Sequence, residues 1–518
     1  MRSKFEQVLR KGDYIGGSFV KPEVVDGYLR GFSPGDRDDE LGRFSFSKSS
    51  VDAAVDCAVE ARISWGREGQ EVRATHITRF RAELLNHQNR CAQLLTRETG
   101  KPLWESSQEV VATLRCVDLM LEEGLMRLEP HVVHQHKARS DYRPRGVVGV
   151  LVPHVFPLMT SVQQTVAALL AGNCVVLKPS KFTPASGQFM AEMWDRCRLP
   201  RGVFNMVQGS GAVVGSRLVQ HKGLDALCVS GSYATARAVA ESLHGRPELP
   251  VLYHSGGKAA ALVLDGADVE HAVYEVIVGA YLTAGQRHNS TARVVCVAGV
   301  YDAFVSAIQR RVENLRVGWG FDDDVFCGPV ISEVYRTDVR RYGAELVREG
   351  HETLRAATDV EVPGRRGFYV SPSLHAIDWS SNKPFVKDEP PGPTLLVYKV
   401  DGWEEAVALH NQFRFRNQAA VFAGRGHTHL TEVVARIQTG ALNINRGTIG
   451  ASMRLPAVGL GRSSNGVSSG IELIRFMASP RATLVEERRF DPNDLVPGVA
   501  WEEEVDDLTS DELELDEG

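Results

Sequence analysis

The chain has 518 residues, 43% apolar and 24% charged, with a formal net charge of −6. That length suits two to four domains around sizeable cores, and the composition excludes collagen, coiled coil and chain-wide disorder. The mild acidity gives no electrostatic reason to expect nucleic acid. It is also uneven: residues 501–518 hold ten acids and no base, and removing them takes the charge from −6 to +4.

The first residues, MRSKFEQVLRKGDYIGG, lack the apolar core of an export signal. Residues 50–127 read as helices, with apolar residues at helical spacing and a stop at Gly100. RGVVGVLVP (145–153) then reads as a fully buried strand. A helix over 156–172, the strand NCVVLKPS (173–180), a helix near 184–197 and the strand VFNMVQG (203–209) follow. GAVVGSRLVQ reads as a helix, ALCVSGS (226–232) as a strand, ATARAVAESL as a helix, and VLYHS and AAALVLDG as strands. The apolar stretch 147–177 is interrupted by Pro153, Pro157, Gln163, Gln164 and Asn173, so it predicts buried core and no membrane span. The second half predicts a helix over 268–283, the strand RVVCVAG, a helix over 302–314, the strand LLVYKV, a helix near 403–410, the strand AAVFAG and a late strand within 478–488. Strands alternating with helices of this length imply an α/β fold on a parallel, doubly wound sheet. Eight scattered cysteines without a CxxC pair form neither a disulfide framework nor a zinc pattern, and a cytoplasmic location is expected.

A series of motifs occurs in order: PRGVVGVLVPHVFP, ALLAGNCVVLKPS, LPRGVFNMVQGSGAVVG, VSGS, HSGGK, AGQRHNSTARVVC, GPVIS, DEPPGP, GALNIN and LPAVGLGRSSNG. Over roughly residues 13–490 this resembles the aldehyde dehydrogenase superfamily, and within it the succinylglutamate semialdehyde dehydrogenases. The resemblance implies a Rossmann-like dinucleotide-binding domain (13–126 and 148–249) and a catalytic-type domain (250–476). It also implies a small β oligomerisation flap (127–147 and 477–490), followed by an acidic tail (491–518). A homo-oligomer, dimer or tetramer, is expected. The tail interleaves acids with Trp501, Val505, Leu508, Leu513 and Leu515; it reads as a solvated, disordered segment, the alternative being a short segment that orders on contact with a protein partner.

For the cofactor, Lys178 and Ser180 in KPS stand where a ribose would be held, at the carboxyl edge of an open sheet. Gly209 opens one glycine-rich turn, and Gly231 with Ser232 opens another whose N–H groups would meet a pyrophosphate. Glu389 matches the family glutamate of the nicotinamide ribose. Lys181 replaces the acid that follows KPS in the family, which favours NADP over NAD, and Ala236 replaces the last glycine of the turn.

The family's chemistry needs a Cys nucleophile, a Glu base and an Asn oxyanion donor. The matching positions hold His288, His254 and Val155. Cys296 lies within a predicted strand and should face the core. Losing a nucleophile costs about 10⁴–10⁶ in rate, so the expectation is an inactive or severely impaired family member acting as a nucleotide-binding scaffold or regulatory partner. Two alternatives remain. One is NAD(P)-dependent oxidation of a semialdehyde by a non-thiol route. The other is metal-dependent chemistry at a cluster of His154, His254 and His288, since imidazole suits divalent metals.

Overall fold

The computed structural model of the chain describes residues 11–133, 137–378 and 389–501. The chain opens on a short antiparallel pair, β1 (Asp13–Ile15) and β2 (Ser18–Val20), and a hairpin, β3 (Gly27–Ser33) and β4 (Asp36–Phe46). Helices α1 (Lys48–Arg67), α2 (Gln70–Asn86), α3 (Gln88–Thr99) and α4 (Leu103–Leu119) follow, and then strands β5 (His131–Val133) and β6 (Ala138–Pro144). The predicted alternation begins at β7 (Val147–Leu151). It runs through α5 (Pro157–Leu170), β8 (Cys174–Lys178), α6 (Pro184–Arg196), β9 (Phe204–Met206), α7 (Ser216–Gln220), β10 (Ala226–Ser230), α8 (Tyr233–Ser242) and β11 (Val251–His254).

These strands form one seven-stranded sheet in the order β11-β10-β7-β8-β9-β1-β2. The run from β11 to β9 is parallel, and β1 joins β9 antiparallel through Tyr14 and Met206. The β1–β4 strands escape the sequence pattern because the first two are only three residues long and the hairpin lacks clean alternation. Topology fixes the binding edge. The chain runs outward from β7 to β8 and β9, then returns to place β10 on the other side of β7. That switch leaves a crevice beyond the carboxyl ends of β7 and β10, where open α/β sheets take ligands.

A second sheet follows from β12 (Ala259–Val263), α9 (Val269–Tyr281), β13 (Thr291–Val297), α10 (Ala298–Val312), α11 (Glu333–Arg348), β14 (Glu352–Arg355), β15 (Ser373–Ile377), β16 (Thr394–Val400), β18 (Gln418–Phe422) and β19 (Ala441–Ile444), while β17 (Phe415–Arg416) pairs apart from it with Leu460–Gly461. Its order is β14-β15-β16-β13-β12-β18-β19, with β14 antiparallel. The helix expected over 268–283 stops at Tyr281, because Thr283 and Ala284 take left-handed backbone angles, φ 55° and 50°. The helix expected over 302–314 starts earlier, at Ala298, with Val297 as its cap. Strand β13 is buried on both faces. Val295 and Val297 pack toward Tyr398 and Leu262, while Val294 and Cys296 pack toward Phe304 and Ile308. Cys296 is therefore core, and burial pushes its thiol pKa well up, away from the reactive thiolate.

Residues 130–133, 137–141 and 481–501 form a separate, smaller unit. The sheet in which it takes part has the order Ala478–Leu484, β6, β5. Within the unit Arg481 pairs with Asp141 at 3.2 Å, and the Phe490 and Trp501 rings lie 4.9 Å apart. The acidic residues 502–518 lie outside the described residues.

Two buried histidines, His375 on β15 and His410 on the helix Trp403–Gln412, set an acid limit. His375 Nδ1 meets Thr353 Oγ1 at 3.1 Å, and His410 Nε2 meets the Gln438 carbonyl at 3.2 Å. Burial pushes both pKa values down to about 4 from an ordinary 6.5. The unfolded chain therefore takes up these protons first. Their stabilisation is complete above pH 6.5 and is lost as pH falls toward 4, by about 3 kcal/mol per residue. Urea midpoints measured from pH 7 to pH 4 should fall steeply in the parent and less steeply in His410→Gln.

Candidate active site

The crevice is built first from glycines and strand ends. Lys178 closes β8, and its Nζ donates to the Pro179 carbonyl at 2.6 Å. Burial, then the charge of Lys181, pushes its pKa down to about 8. Ser180 Oγ accepts from the Phe182 N–H at 3.2 Å, and the exposed Lys181 holds its ammonium 4.9 Å from the Phe182 ring centre. Gly209 is required sterically: at φ 149°, a Cβ would come within 2.2 Å of Val214 Cγ2. Gly231 leaves β10 and donates its N–H to the His254 carbonyl at 2.9 Å. Ser232 caps α8, its hydroxyl accepting from the Thr235 N–H at 3.2 Å, and Ala236 is buried within the first turns of that helix.

The strained pair Thr283–Ala284 delivers the next segment. Glu105, 2% exposed on α4, accepts from the Thr283 N–H at 3.2 Å, from the Thr283 hydroxyl and from Arg287 Nη2 at 2.6 Å. Arg287 Nε donates back to Thr283 Oγ1 at 2.8 Å, and its guanidinium covers the Phe156 ring at 5.0 Å. Left-handed non-glycine residues cost of order 1–3 kcal/mol each and persist only where surroundings fix them. This buried clamp fixes them, and it aims His288, the residue after Arg287. His288 itself is exposed to solvent. Desolvation, then the Arg287 charge, pushes its pKa down to about 4.

His254 ends β11 and forms a backbone bridge to Ser464. Burial, then the charge of His288, pushes its pKa down to about 4, so the two imidazoles are neighbours. Gly256 links the parts: at φ 78°, a Cβ there would stand 3.7 Å from the Gly231 carbonyl oxygen, 3.8 Å from His288 Cβ and 3.9 Å from Glu389 Oε1. Glu389 accepts from the Lys258 N–H at 3.2 Å; burial raises its pKa, against the lowering charges of Lys258 and Arg293. Lys258 Nζ donates to the Gly392 carbonyl at 2.7 Å, and burial pushes its pKa down to about 7. Val155 lies between β7 and α5 and offers only its carbonyl, which accepts from Lys101 Nζ at 3.3 Å. It supplies no side-chain donor.

The three-imidazole metal cluster is not assembled. His154 hydrogen-bonds Gln286 and packs edge-on against Phe182 and Tyr335, ring centres 5.5 and 5.6 Å away. Among the described residues no group of three or more His, Cys, Asp or Glu could hold a metal ion. The sequence reading missed the supports of the site: Lys101, Glu105, Glu109, Lys258, Gln286 and Arg287. Glu105 and Glu109 carried a signal, two acids four apart on the buried face of a helix whose other buried positions include Val110, Leu114 and Val117.

A crevice at a topological switch, glycine turns, and residues 254, 288 and 389 around Gly256 invite comparison with known proteins. Residues 29–483 match the Aldehyde dehydrogenase family. The chain belongs to the aldehyde dehydrogenase family. It is 33% identical to the N-succinylglutamate 5-semialdehyde dehydrogenase 1 of Caulobacter vibrioides, over 84% of this chain and 91% of that one. It is 32% identical to an N-succinylglutamate 5-semialdehyde dehydrogenase of Chromobacterium violaceum, over 88% and 92%. Among solved structures it resembles an NAD-dependent aldehyde dehydrogenase from Sinorhizobium meliloti, with TM-score 0.87, 25% identity and coverage of 94% and 96%. This aldehyde dehydrogenase family chain thus keeps the α/β fold and carries imidazoles at positions 288 and 254. Among its described residues no helix is long and apolar enough to cross a membrane.

Proposed function

We propose that this aldehyde dehydrogenase family member has lost thiol-based aldehyde oxidation and serves as a dinucleotide-binding scaffold or regulatory partner. The observation that carries the reading is His288 at the tip of an intact clamp, with every cysteine elsewhere and seven of the eight buried. A bound NAD or NADP would supply a hydride acceptor. The crevice fits one. Gly231 and Ser232 open the ten-residue helix α8 toward it, and Gly256 leaves room beside Glu389 that a Cβ would fill. Lys178 and Glu389 would hold the ribose hydroxyls.

Purified protein given NAD or NADP with a panel of aldehydes, semialdehydes included, should show no turnover above the blank. Turnover would overturn this reading in favour of a second one, semialdehyde oxidation by a non-thiol route, which the names of the two relatives favour. The exposed Lys181 supports NADP as the tighter ligand. By calorimetry, Lys181→Glu should shift the NADP-to-NAD preference roughly two- to fivefold toward NAD, the size expected for exposed charge pairs. Absence of binding by either dinucleotide would show the crevice to be a relic.

The scaffold acts as a dimer or tetramer in this reading. Exposed Leu484, Val485, Phe490 and Trp501 in the smaller unit support self-association. The acidic end of the chain is proposed as a contact for a protein partner. Eight unpaired thiols support a reducing, cytoplasmic setting.

A further inference from the structure

Three aromatic rings stand in the crevice between the groups that would hold its two riboses. We propose that His154, Phe182 and Tyr335 form a latch that selects between nucleotides: a nucleoside diphosphate binds with it shut, and a dinucleotide must open it. The latch rests on the reading of the crevice as a dinucleotide site.

The rings come from three segments. His154 follows β7 and Phe182 follows β8, so both leave the carboxyl ends of neighbouring strands of the first sheet. Tyr335 stands in the first turn of α11, in the half of the chain that builds the second sheet. Ring centres lie 5.5 Å apart for His154 and Phe182, 5.6 Å for His154 and Tyr335, and 6.4 Å for Phe182 and Tyr335, each pair close to edge-on. Such pairs attract beyond the area they bury. One corner touches the adenosine side. Phe182 is two residues past Ser180, and Lys181 Nζ lies 4.9 Å from its ring centre. Another corner reaches the nicotinamide side. Burial, then the charge of Glu389, raises the Tyr335 phenol pKa, which makes these two side chains neighbours. A ligand that joins Lys178 to Glu389 has to pass the rings.

The packing is built to yield. All three rings are only half-buried. His154 Nε2 is buried with no hydrogen-bond partner among the described residues, which weakens the closed arrangement. Opening is also felt at the clamp. Gln286 Oε1 accepts the Ile331 N–H at 3.0 Å, just before α11, and Gln286 Nε2 donates to the Thr283 carbonyl at 2.9 Å. His154 hydrogen-bonds the same Gln286. One amide thus links the latch to the turn that aims residue 288. A nucleoside diphosphate needs Lys178, Ser180 and the start of α8, and leaves the rings packed. A dinucleotide binds only the open fraction of molecules, and its apparent affinity falls by that fraction.

Calorimetry on the full-length protein compares ADP, the adenosine half alone, with NAD. Tyr335→Ala and Phe182→Leu should each tighten NAD binding about tenfold, roughly the worth of one or two ring pairs, and alter ADP binding by less than about twofold. Tyr335→Phe keeps the ring and should bind both ligands as the parent does. Hydrogen exchange in the first turns of α11 should rise on adding NAD and stay unchanged on adding ADP. Thermal melting confirms that each variant is folded, and two independent ring positions guard against one that is not. NAD binding seen only in the ring-deleted variants supports the latch. If NAD gains no more than ADP in the folded variants, or Tyr335→Phe gains as much as Tyr335→Ala, the latch is overturned and dinucleotide binding stands. If neither ligand binds the parent or any variant, the latch and the dinucleotide reading fall together.

Discussion

The double variant His288→Cys, His254→Glu is expected to oxidise aldehydes with NAD or NADP at a rate on the order of 10⁴-fold above the parent, the scale set by losing a catalytic nucleophile. The scaffold for that thiol is already in place. Glu105 ties Thr283 and Arg287 together, and the left-handed turn it holds aims residue 288 into the cleft. A thiol there would sit beside the Arg287 charge, which already disfavours protonation of His288 and would favour the thiolate of a cysteine. A carboxylate at 254 would stand next to it, as the two imidazoles do now. Adding Val155→Asn should contribute a further 10²–10³-fold, roughly the value of one oxyanion donor, and only when the thiol is present. Reduced dinucleotide followed at 340 nm reads the result. A folded, dinucleotide-binding revertant that stays silent would show that the cleft has drifted beyond its three replaced side chains.

Glu109→Ala should unfold the molecule more readily by about 3–5 kcal/mol, the range for breaking one half of a buried ion pair. Glu109 is 4% exposed and pairs with Lys101, itself 2% exposed. Its other oxygen accepts the N–H groups of Leu158 and Met159, each at 3.1 Å, where α5 begins. Those donors have no partner inside the helix, and a carboxylate there also meets the positive end of the helix dipole. Removing it strands an ammonium against the Val155 carbonyl and the Phe156 ring and leaves two N–H groups unpaired. The double change Lys101→Met, Glu109→Gln removes both charges while keeping an acceptor, and it should recover at least half of the loss. Denaturant unfolding followed by tryptophan fluorescence measures both. A Glu109→Ala midpoint equal to the parent's would mean that water or Lys101 movement relieves the site.

Sequence by itself determined the alternating half of the fold. Runs such as VVGVL and CVVLK read as buried strands, being short, rich in Val and unbroken, as a parallel sheet covered on both faces asks. It also determined that residues 288, 254 and 155 lack the thiol, carboxylate and amide of the family chemistry, since identity needs no geometry. The short strands at 13–20 were illegible because three residues carry no period, and their place beside β9 is a long-range pairing.

Only the tertiary structure separated His154 from His254 and His288. His154 follows β7, His254 ends β11, and His288 follows the left-handed turn after α9, so chain order alone does not say which of them meet. A hydrogen bond to Gln286 and the Phe182–Tyr335 niche hold the first in a different environment from the pair. Only the tertiary structure, likewise, turned Glu105 and Glu109 from two acids on a helix into the clamp and the cap that shape the cleft. The physical reason is the same in both cases. A side chain's identity is written in the chain, but its partners are set by residues 49 to 182 positions away, and burial makes those partners decide its charge, its direction and its use.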